Sequence, residues 1–128
     1  MKTETSALNV AKAHIDAWSN HDWATSEKLL ADDVRVEVST TQPIMGPVDT
    51  TGVDEYMRGQ HAFADPVVKG SAKIQFAVGD DQTAMVLVTV RTELPGQGQL
   101  DLHGARLYAI DQAGKIKHEK VIFFVTKP

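Results

Sequence analysis

The chain contains no cysteine, no long hydrophobic run and no extended block of basic residues. Without cysteine, disulfides, thiolate nucleophiles and thiolate metal ligands are excluded. No apolar stretch approaches the length needed to span a bilayer, and the polar segment Met1–Ser6 lacks the pattern of a signal peptide. These absences predict a cytoplasmic protein that is not in a membrane.

The charge balance narrows the class of partner. Thirteen basic and 17 acidic residues give a net charge of -4. A chain of this sign with no basic patch is not expected to bind nucleic acid or an anionic membrane. Its 128 residues predict a single domain over residues 1–128. Such a domain can bury roughly two thirds of its unfolded surface, which leaves room for a core with a cavity inside it.

Three helices are predicted in the first half of the chain. Ser6 can cap a helix over residues 7–20, in which apolar side chains recur at helical spacing. Asp22 can cap a second, shorter helix through Leu30. The run Thr51-Gly52-Val53-Asp54 resembles a capping box and predicts the start of a third helix.

Strands dominate the second half. Alternating or β-branched runs separated by turn residues predict five strands, over residues 34–38, 74–78, 83–93, 99–110 and 115–126. A turn-rich stretch with Pro43, Gly46 and Pro47 follows the first strand, and Pro95–Gly98 forms another turn. Consecutive hairpins favour antiparallel pairing. Helices first and strands later predict an α+β fold.

Three segments resemble the nuclear transport factor 2 superfamily, and more narrowly its SnoaL-like members. They are Ala11–Val38, which contains Leu30-Ala31-Asp32-Asp33-Val34, then Gly52-Val53-Asp54-Glu55-Tyr56, and Gly114-Lys115-Ile116. The resemblance covers nearly the whole chain. It implies a cystatin-like cone, in which a curved, mostly antiparallel sheet wraps around the three helices. It also implies a pocket for a small apolar organic ligand.

The resemblance admits several functions. The superfamily includes ketosteroid isomerases, limonene-type epoxide hydrolases, scytalone dehydratases and polyketide cyclases, as well as transport and scaffold proteins. Its enzymes typically work without a cofactor. It therefore implies a cofactor-independent isomerase, cyclase, hydratase or epoxide hydrolase, because these are its enzymes. The alternatives are a ligand-binding protein that performs no chemistry and a dimeric interaction protein of the same fold, since fold alone does not give function. The resemblance implies no cofactor. No metal is expected either, since His21, His61, His103 and His118 show no close metal-ligand spacing.

The acid and base positions of two enzyme groups carry unsuitable residues here. Aligned through Asp32-Asp33, the base of the ketosteroid isomerases falls on Val38 and their enolate-stabilising tyrosine falls on His14. His14 could donate a hydrogen bond to an oxyanion. The aspartate of the SnoaL-like cyclases falls on Val121. A valine cannot accept a proton, so these two chemistries lack their usual base.

The limonene-type epoxide hydrolases offer a partial match. Their Arg-x-Asp pair resembles Arg91-Thr92-Glu93, in which Glu93 would protonate an epoxide oxygen and Arg91 would orient it. Their water-activating aspartate again falls on Val121. The alternative is that Arg91 and Glu93 lie on a solvated face while the valines that alternate with them pack inside.

Glu119 is the substitute acid or base that we predict, with Arg106 as its partner. A four-residue turn at Asp111–Gly114 would place Arg106 directly opposite Glu119, whereas a bulged three-residue loop would pair it with Lys120. A nearby arginine would lower the pKa of the carboxyl group. A plain cross-strand ion pair on the surface is the competing interpretation.

The remaining predictions concern the wall of the pocket and the outside of the sheet. The side chains expected to line the pocket are Trp18, Val36, Val38, Tyr56, Val121 and Phe123. Among them, the Tyr56 hydroxyl could donate a hydrogen bond to a ligand. Members of the superfamily often dimerise through the outer face of the sheet, so the resemblance implies a homodimer. An exposed apolar patch on that face is then expected.

Overall fold

The computed structural model describes residues 6–40, 48–96 and 98–127. Three helices form within these ranges: α1 (Ala7–Ser19), α2 (Trp23–Lys28) and α3 (Val53–Ala64). The six strands are β1 (Leu30–Thr40), β2 (Val48–Thr51), β3 (Lys73–Gly79), β4 (Thr83–Leu94), β5 (Gly98–Ile110) and β6 (Ile116–Thr126). The predicted turns at residues 43–47 and at Gln97 lie outside the described residues.

The six strands form one sheet that does not close. Its order is β2-β1-β6-β5-β4-β3. Every neighbouring pair is antiparallel except β1 and β6, which run parallel. The predicted fold class is confirmed, because helices of the first half accompany a mostly antiparallel sheet. None of the described helices is long and apolar enough to cross a membrane.

All three helices begin where the sequence predicted, and two of the three predicted caps are confirmed. The Ser6 hydroxyl accepts from the Asn9 backbone N–H at 3.2 Å, and an Asp22 carboxylate oxygen accepts from the Thr25 N–H at 3.3 Å. The predicted capping box is wrong. Gly52 occupies the cap position of α3 with φ 110° and provides no side-chain cap. The chain passes directly from β2 into α3, and this turn requires a backbone conformation that glycine adopts most readily.

The stretch between α2 and α3 contains more strand than the sequence predicted. The second helix ends at Lys28, and β1 starts at Leu30. Asp32 and Asp33 therefore belong to the strand, where the ladder to β6 is irregular between Leu30 and Arg35. The short strand β2 pairs with β1, Val36 opposite Thr50, and was not predicted. A four-residue strand shows too little alternation to be recognised by pattern.

One face of the sheet packs against the helices. Val86, Val88 and Val90 of β4 are buried there, as the period-two pattern of the strand requires. From the helices, Ile15 and Trp18 of α1 belong to the same core. The opposite face of β3–β6 exposes large apolar side chains. The helices therefore cover the inner face of the sheet.

Candidate functional site

A cavity of about 280 Å³ lies between α3 and the inner face of the sheet. This is close to the lower end of the range of about 300–1,000 Å³ typical of small-molecule pockets. Its wall is mostly apolar and is formed by Trp18, Val36, Val38, Val48, Thr50, Glu55, Tyr56, Arg58, Gly59, Gln60, Ala62, Phe63, Arg106, Glu119, Val121 and Phe123. All six side chains predicted to line a pocket are in this wall, and so are Arg106 and Glu119.

Arg106 and Glu119 form a buried ion pair in the cavity wall. The Arg106 Nη1 atom donates to Glu119 Oε2 at 2.8 Å, and the two side chains are 8% and 1% exposed. Neither of the predicted strand registers is correct. Arg106 faces Val121 and Tyr108 faces Glu119, because the β5–β6 ladder shifts between Ala109 and Ile110. The pair is diagonal, and diagonal neighbours on one face lie within reach of long side chains.

Tyr56 joins this pair from α3. Its hydroxyl donates to Glu119 Oε1, so both carboxylate oxygens have a donor. Burial raises the pKa of Tyr56 well above its ordinary value, and the negative charge of Glu119 raises it further. The hydroxyl therefore keeps its proton in the folded protein. The cluster at the cavity wall consists of one cation, one anion and one neutral donor.

The pKa of Glu119 reflects opposing effects. Burial alone would raise it, but the adjacent Arg106 charge and the hydrogen bond from Tyr56 lower it more, so the net direction is downward. For Arg106, burial acts against the charged form, and the Glu119 carboxylate outweighs it and raises the pKa. Both groups are therefore ionised near neutral pH. Glu119 is a carboxylate in the free protein and not a carboxylic acid.

His14 lies behind the cavity wall. Its ring is fully buried in α1, with Nε2 3.1 Å from Ser26 Oγ and 3.5 Å from the Tyr56 hydroxyl oxygen. Gln60 Nε2 donates to Ser26 Oγ at 2.7 Å. Burial lowers the pKa of His14 to about 4. The prediction that His14 could reach a ligand oxygen directly is not supported by this position, since its ring is not part of the wall.

The surroundings of His14 favour one tautomer. Its Nδ1 atom is buried and has no partner among the described residues. An unpaired buried acceptor costs less than an unpaired buried N–H. We therefore assign the proton to Nε2, which can donate to Ser26 Oγ or to the Tyr56 oxygen. Tyr56 can accept there while its own proton goes to Glu119, so His14 helps to orient the Tyr56 hydroxyl.

Two aromatic rings support the guanidinium group of Arg106. Its Cζ atom lies 4.7 Å from the centroid of a Trp18 ring and 5.2 Å from that of Phe63. Cation–π attraction to these rings compensates part of the cost of removing the charge from water. The Arg106 side chain is thus held by Glu119 on one side and by aromatic faces on others.

Arg91 and Glu93 do not belong to this site. Both lie on the outer face of β4, and Thr92 between them faces inward with 1% exposure. The Arg91 Nε atom donates to Asp101 Oδ1 at 2.6 Å, and Glu93 is exposed and accepts from Gln99 Nε2 at 2.8 Å. The placement of Arg91 and Glu93 in a cavity is therefore wrong. The valines of β4 occupy the inner face, and alternation turns the residues between them outward.

Two polar residues beside the Arg106–Glu119–Tyr56 cluster, Tyr108 and Gln60, were not identified from the sequence. Tyr108 shares the inner face of β5 with Arg106, two residues along the strand. Its hydroxyl is buried without a hydrogen-bond partner among the described residues, and burial together with Glu119 raises its pKa. Gln60 lies one helical turn after Tyr56. Period-two spacing from Arg106 and i, i+4 spacing from Tyr56 were the signals that could have revealed both.

No metal site emerges from the described part of the chain. No group of three or more histidine, aspartate or glutamate side chains in residues 6–40, 48–96 and 98–127 is placed to hold a metal ion. The polar side chains of the cavity wall are the buried Arg106–Glu119 pair, the exposed Glu55–Arg58 pair, Thr50, Tyr56 and Gln60. Such a set can bind a ligand oxygen, stabilise a charge that develops on it and exchange a proton through the carboxylate.

This architecture is that of a known protein family. The model of the SnoaL-like domain matches residues 11–119. The chain belongs to the SnoaL-like domain family. No curated protein matches it. The family assignment confirms the resemblance stated for Ala11–Val38, Gly52–Tyr56 and Gly114–Ile116.

Solved structures share the fold of this SnoaL-like domain. An LEH-like epoxide hydrolase from Mycobacterium tuberculosis superposes with a TM-score of 0.71 at 19% identity, covering 91% of this chain and 81% of that one. RV0760c from Mycobacterium tuberculosis, in complex with estradiol-17beta-hemisuccinate, gives 0.69 at 17% identity, covering 90% and 91%. A bacterial protein with a cystatin-like fold from Silicibacter pomeroyi gives 0.70 at 16%, covering 94% and 77%. At these identities the likeness concerns the fold.

Proposed function

We propose that this SnoaL-like domain binds a small, largely apolar organic molecule in the cavity and catalyses a cofactor-independent proton transfer on it. The observation that carries the proposal is the buried Arg106–Glu119 pair in an otherwise mostly apolar wall. Isomerisation, cyclisation, hydration and epoxide opening all belong to this reaction class. Small-molecule binding is also supported by RV0760c, a neighbour of the same fold in complex with estradiol-17beta-hemisuccinate.

The cost of the ion pair argues for a functional role. Two buried charges lose their hydration, and apolar side chains of similar volume often give equal or greater stability. The pair nevertheless lies in the wall of the cavity. Titratable groups with perturbed pKa values in an apolar cavity are the expected signature of an active site.

Each polar residue has a defined role in this proposal. Glu119 is the base that accepts a proton from the substrate. Arg106 and Tyr56 stabilise negative charge on the substrate oxygen. In the free protein these two donors hold the pKa of Glu119 low. A substrate oxygen that attracts them away from the carboxylate restores its basicity, so the base becomes active when the substrate is bound. His14 acts as a positioning residue through Tyr56.

A second function is favoured by two valines. Val38 and Val121 line the cavity side by side, paired across the β1–β6 ladder. The resemblance places proton-accepting residues of related enzymes at these two positions. A protein that had kept the cavity but not the chemistry would carry apolar residues there. Ligand binding without turnover is therefore the alternative, and the two proposals differ in what Glu119 does.

The Glu119→Gln variant separates the two functions. Titration calorimetry and turnover assays with a panel of medium-chain ketones and epoxides would compare it with the wild type. We expect binding to persist and turnover to fall by about 10²–10⁴-fold, the usual contribution of a general base. Glu93→Gln, the same change at an exposed glutamate of the outer face, is the matched control and should leave both unchanged. Wild-type binding with no turnover would favour the alternative.

Loss of fold must be distinguished from loss of chemistry. Glu119→Gln leaves the Arg106 charge buried without its partner, a change that typically costs about 3–5 kcal/mol. The double variant Glu119→Gln with Arg106→Met removes both charges and should be more stable than the single variant. If the folded double variant still turned substrate over at the wild-type rate, Glu119 would not be the base.

We also propose that two copies associate through the outer face of the sheet. Seven large apolar side chains are exposed there, from 39% to 60%: Phe76, Val78, Met85, Leu87, Leu107, Ile122 and Phe124. They form adjacent rows, since Val78 pairs with Met85 and Met85 with Leu107. A contiguous apolar surface on a sheet is typical of an interface between protein chains.

A further inference from the structure

A second cavity, of about 180 Å³, lies next to the first. Its wall consists of Ala62, Phe63, Pro66, Thr92, Leu94, Leu102 and Phe123. Ala62, Phe63 and Phe123 also line the first cavity. The two spaces are therefore separated by side chains of α3 and β6 that have one cavity on each side.

Phe63 is the main part of this partition. Its ring meets that of Phe123 edge to face, with centroids 5.9 Å apart and planes at 62°. The same ring packs edge to face on Trp18 at 5.6 Å and lies under the Arg106 guanidinium. Phe63 is half-buried near the C-terminal end of α3. The ring thus stands between the two cavities and keeps one part exposed.

The second cavity offers a ligand almost no hydrogen bonds. Among the residues that the structure describes, no charged side chain lines it, and Thr92 is the one polar residue in its wall. The Thr92 hydroxyl already donates to the Leu100 carbonyl at 3.1 Å. A polar group placed there would lose its hydration without replacement. The space therefore suits an apolar chain or ring.

We propose that the second cavity is a tail subsite of the same binding site, reached past the Phe63 ring. This inference rests on the function proposed above and extends it to the class of substrate. The preferred ligand is an elongated molecule with one uncharged oxygen function near Arg106 and Glu119 and an apolar tail. The head is uncharged because the two side chains already neutralise each other, and a further buried charge would have no partner.

Cavity volumes give the scale of this ligand. A group the size of a water molecule occupies about 30 Å³. The first cavity therefore holds about nine such groups, and the second about six more. A ligand confined to the first cavity would stop gaining affinity at roughly nine or ten carbons, whereas one that uses both would continue to gain beyond that length.

A homologous series of straight-chain 2-alkanones, from about six to about sixteen carbons, tests the subsite by titration calorimetry. For the wild type we expect the affinity to rise about fourfold per added methylene, and to continue rising past ten carbons. In Leu94→Phe a larger side chain fills the second cavity from its half-buried edge. This variant should bind the short ketones as the wild type does and gain nothing from longer chains.

Phe63→Leu is the complementary variant, because it thins the partition while keeping an apolar side chain in the wall. It should strengthen the binding of the long ketones relative to the short ones by several-fold. Phe76→Leu makes the same change on the outer face of β3, outside both cavity walls, and should leave the chain-length dependence unaltered.

The outcomes separate this inference from the function on which it rests. If no ketone of any length bound, ligand binding in the cavity would be wrong and the tail subsite with it. If short ketones bound but affinity levelled off near ten carbons in the wild type and in Phe63→Leu alike, only the tail subsite would be wrong. Continued gain in the wild type, abolished by Leu94→Phe, is the result that supports it.

Discussion

The Glu119 carboxylate is buried, and both of its oxygens are hydrogen-bonded, which distinguishes it from a carboxylate in a surface ion pair. It is 1% exposed, and both of its oxygens accept hydrogen bonds from groups in or beside a cavity. Arg106 keeps the carboxylate ionised despite its burial. A base held in this way is poor until one of its donors turns to another acceptor. The proposed activation by the substrate oxygen follows from that arrangement.

His14 gives a prediction about stability and pH. Its pKa is lowered by burial to about 4, against 6.5 for an exposed histidine. Below pH 6.5 the unfolded chain binds a proton at this position that the folded chain does not. Stability is thus fully present above pH 6.5 and is lost as the pH falls towards 4. The difference in pKa corresponds to a loss of about 3 kcal/mol over this window.

Urea unfolding of the wild type and of His14→Gln between pH 5 and pH 7 measures this effect. Glu119, whose pKa is lowered from 4.5, contributes its own loss only at lower pH, so this range separates the effect of His14 from that of Glu119. The free energy of unfolding of the wild type should decrease on acidification more steeply than that of the variant. Equal slopes would mean that His14 is not held neutral by its surroundings.

The sequence predicted the residues of the cavity wall better than it predicted the residues that could carry the chemistry. The resemblance to the SnoaL-like family placed Val36, Val38 and Val121 in the wall, and strand periodicity fixes the face on which such side chains lie. Arg91 and Glu93 resembled an enzyme motif but alternate with buried valines, and burial of those valines decides the face. The enzyme motif predicted that both side chains face inward and the alternation of the strand predicted that they face outward, and the structure agrees with the alternation.

Individual elements were predictable where their ends carry local signals. The caps at Ser6 and Asp22 act through their own side chains, so neighbouring sequence was sufficient. The start of β1 depends on its pairing with β6, and β2 forms because its backbone pairs with that of β1. Such partners are distant in sequence. Propensity near Asp32 and Asp33 therefore indicated a helix end where tertiary pairing produces a strand.

The β5–β6 hairpin shows why the site could not be placed by register alone. One additional residue in β6, between the partners of Ala109 and Ile110, shifts the whole ladder. No residue type near Lys117 signals this bulge. The ion pair still forms because the side chains of Arg106 and Glu119 are long enough to meet diagonally. The partnership was thus predictable from the shared face, while the opposing residues were not.

The two faces of the sheet expose apolar side chains in two different environments, a cavity and the outer surface of the molecule. The inner face contributes to the cavity, and the outer face of β3–β6 exposes the seven side chains proposed to meet a second copy. Ile122 is 60% exposed and is paired across the ladder with Ala105 in this surface. Covering side chains of this size removes apolar area from water, which is the usual source of stability in homodimers.

Sedimentation equilibrium tests this association. The wild type should sediment with twice the mass of one chain. Ile122→Lys places a charge in the proposed interface and should shift the protein to monomer, whereas Ala24→Lys adds the same charge on the exposed surface of α2 and should not. A wild type that is monomeric at high concentration would contradict the proposed dimer.

The proposed function requires a small apolar molecule in the cavity, with its oxygen hydrogen-bonded to the Arg106–Glu119–Tyr56 cluster. A high-resolution crystal structure of the protein with the tightest-binding ketone would show whether this contact exists. We expect the ligand between α3 and the inner face of the sheet, its oxygen within about 3 Å of Arg106, Tyr56 or Glu119. A cavity filled by the protein's own side chains, with the ketone bound elsewhere, would contradict the account.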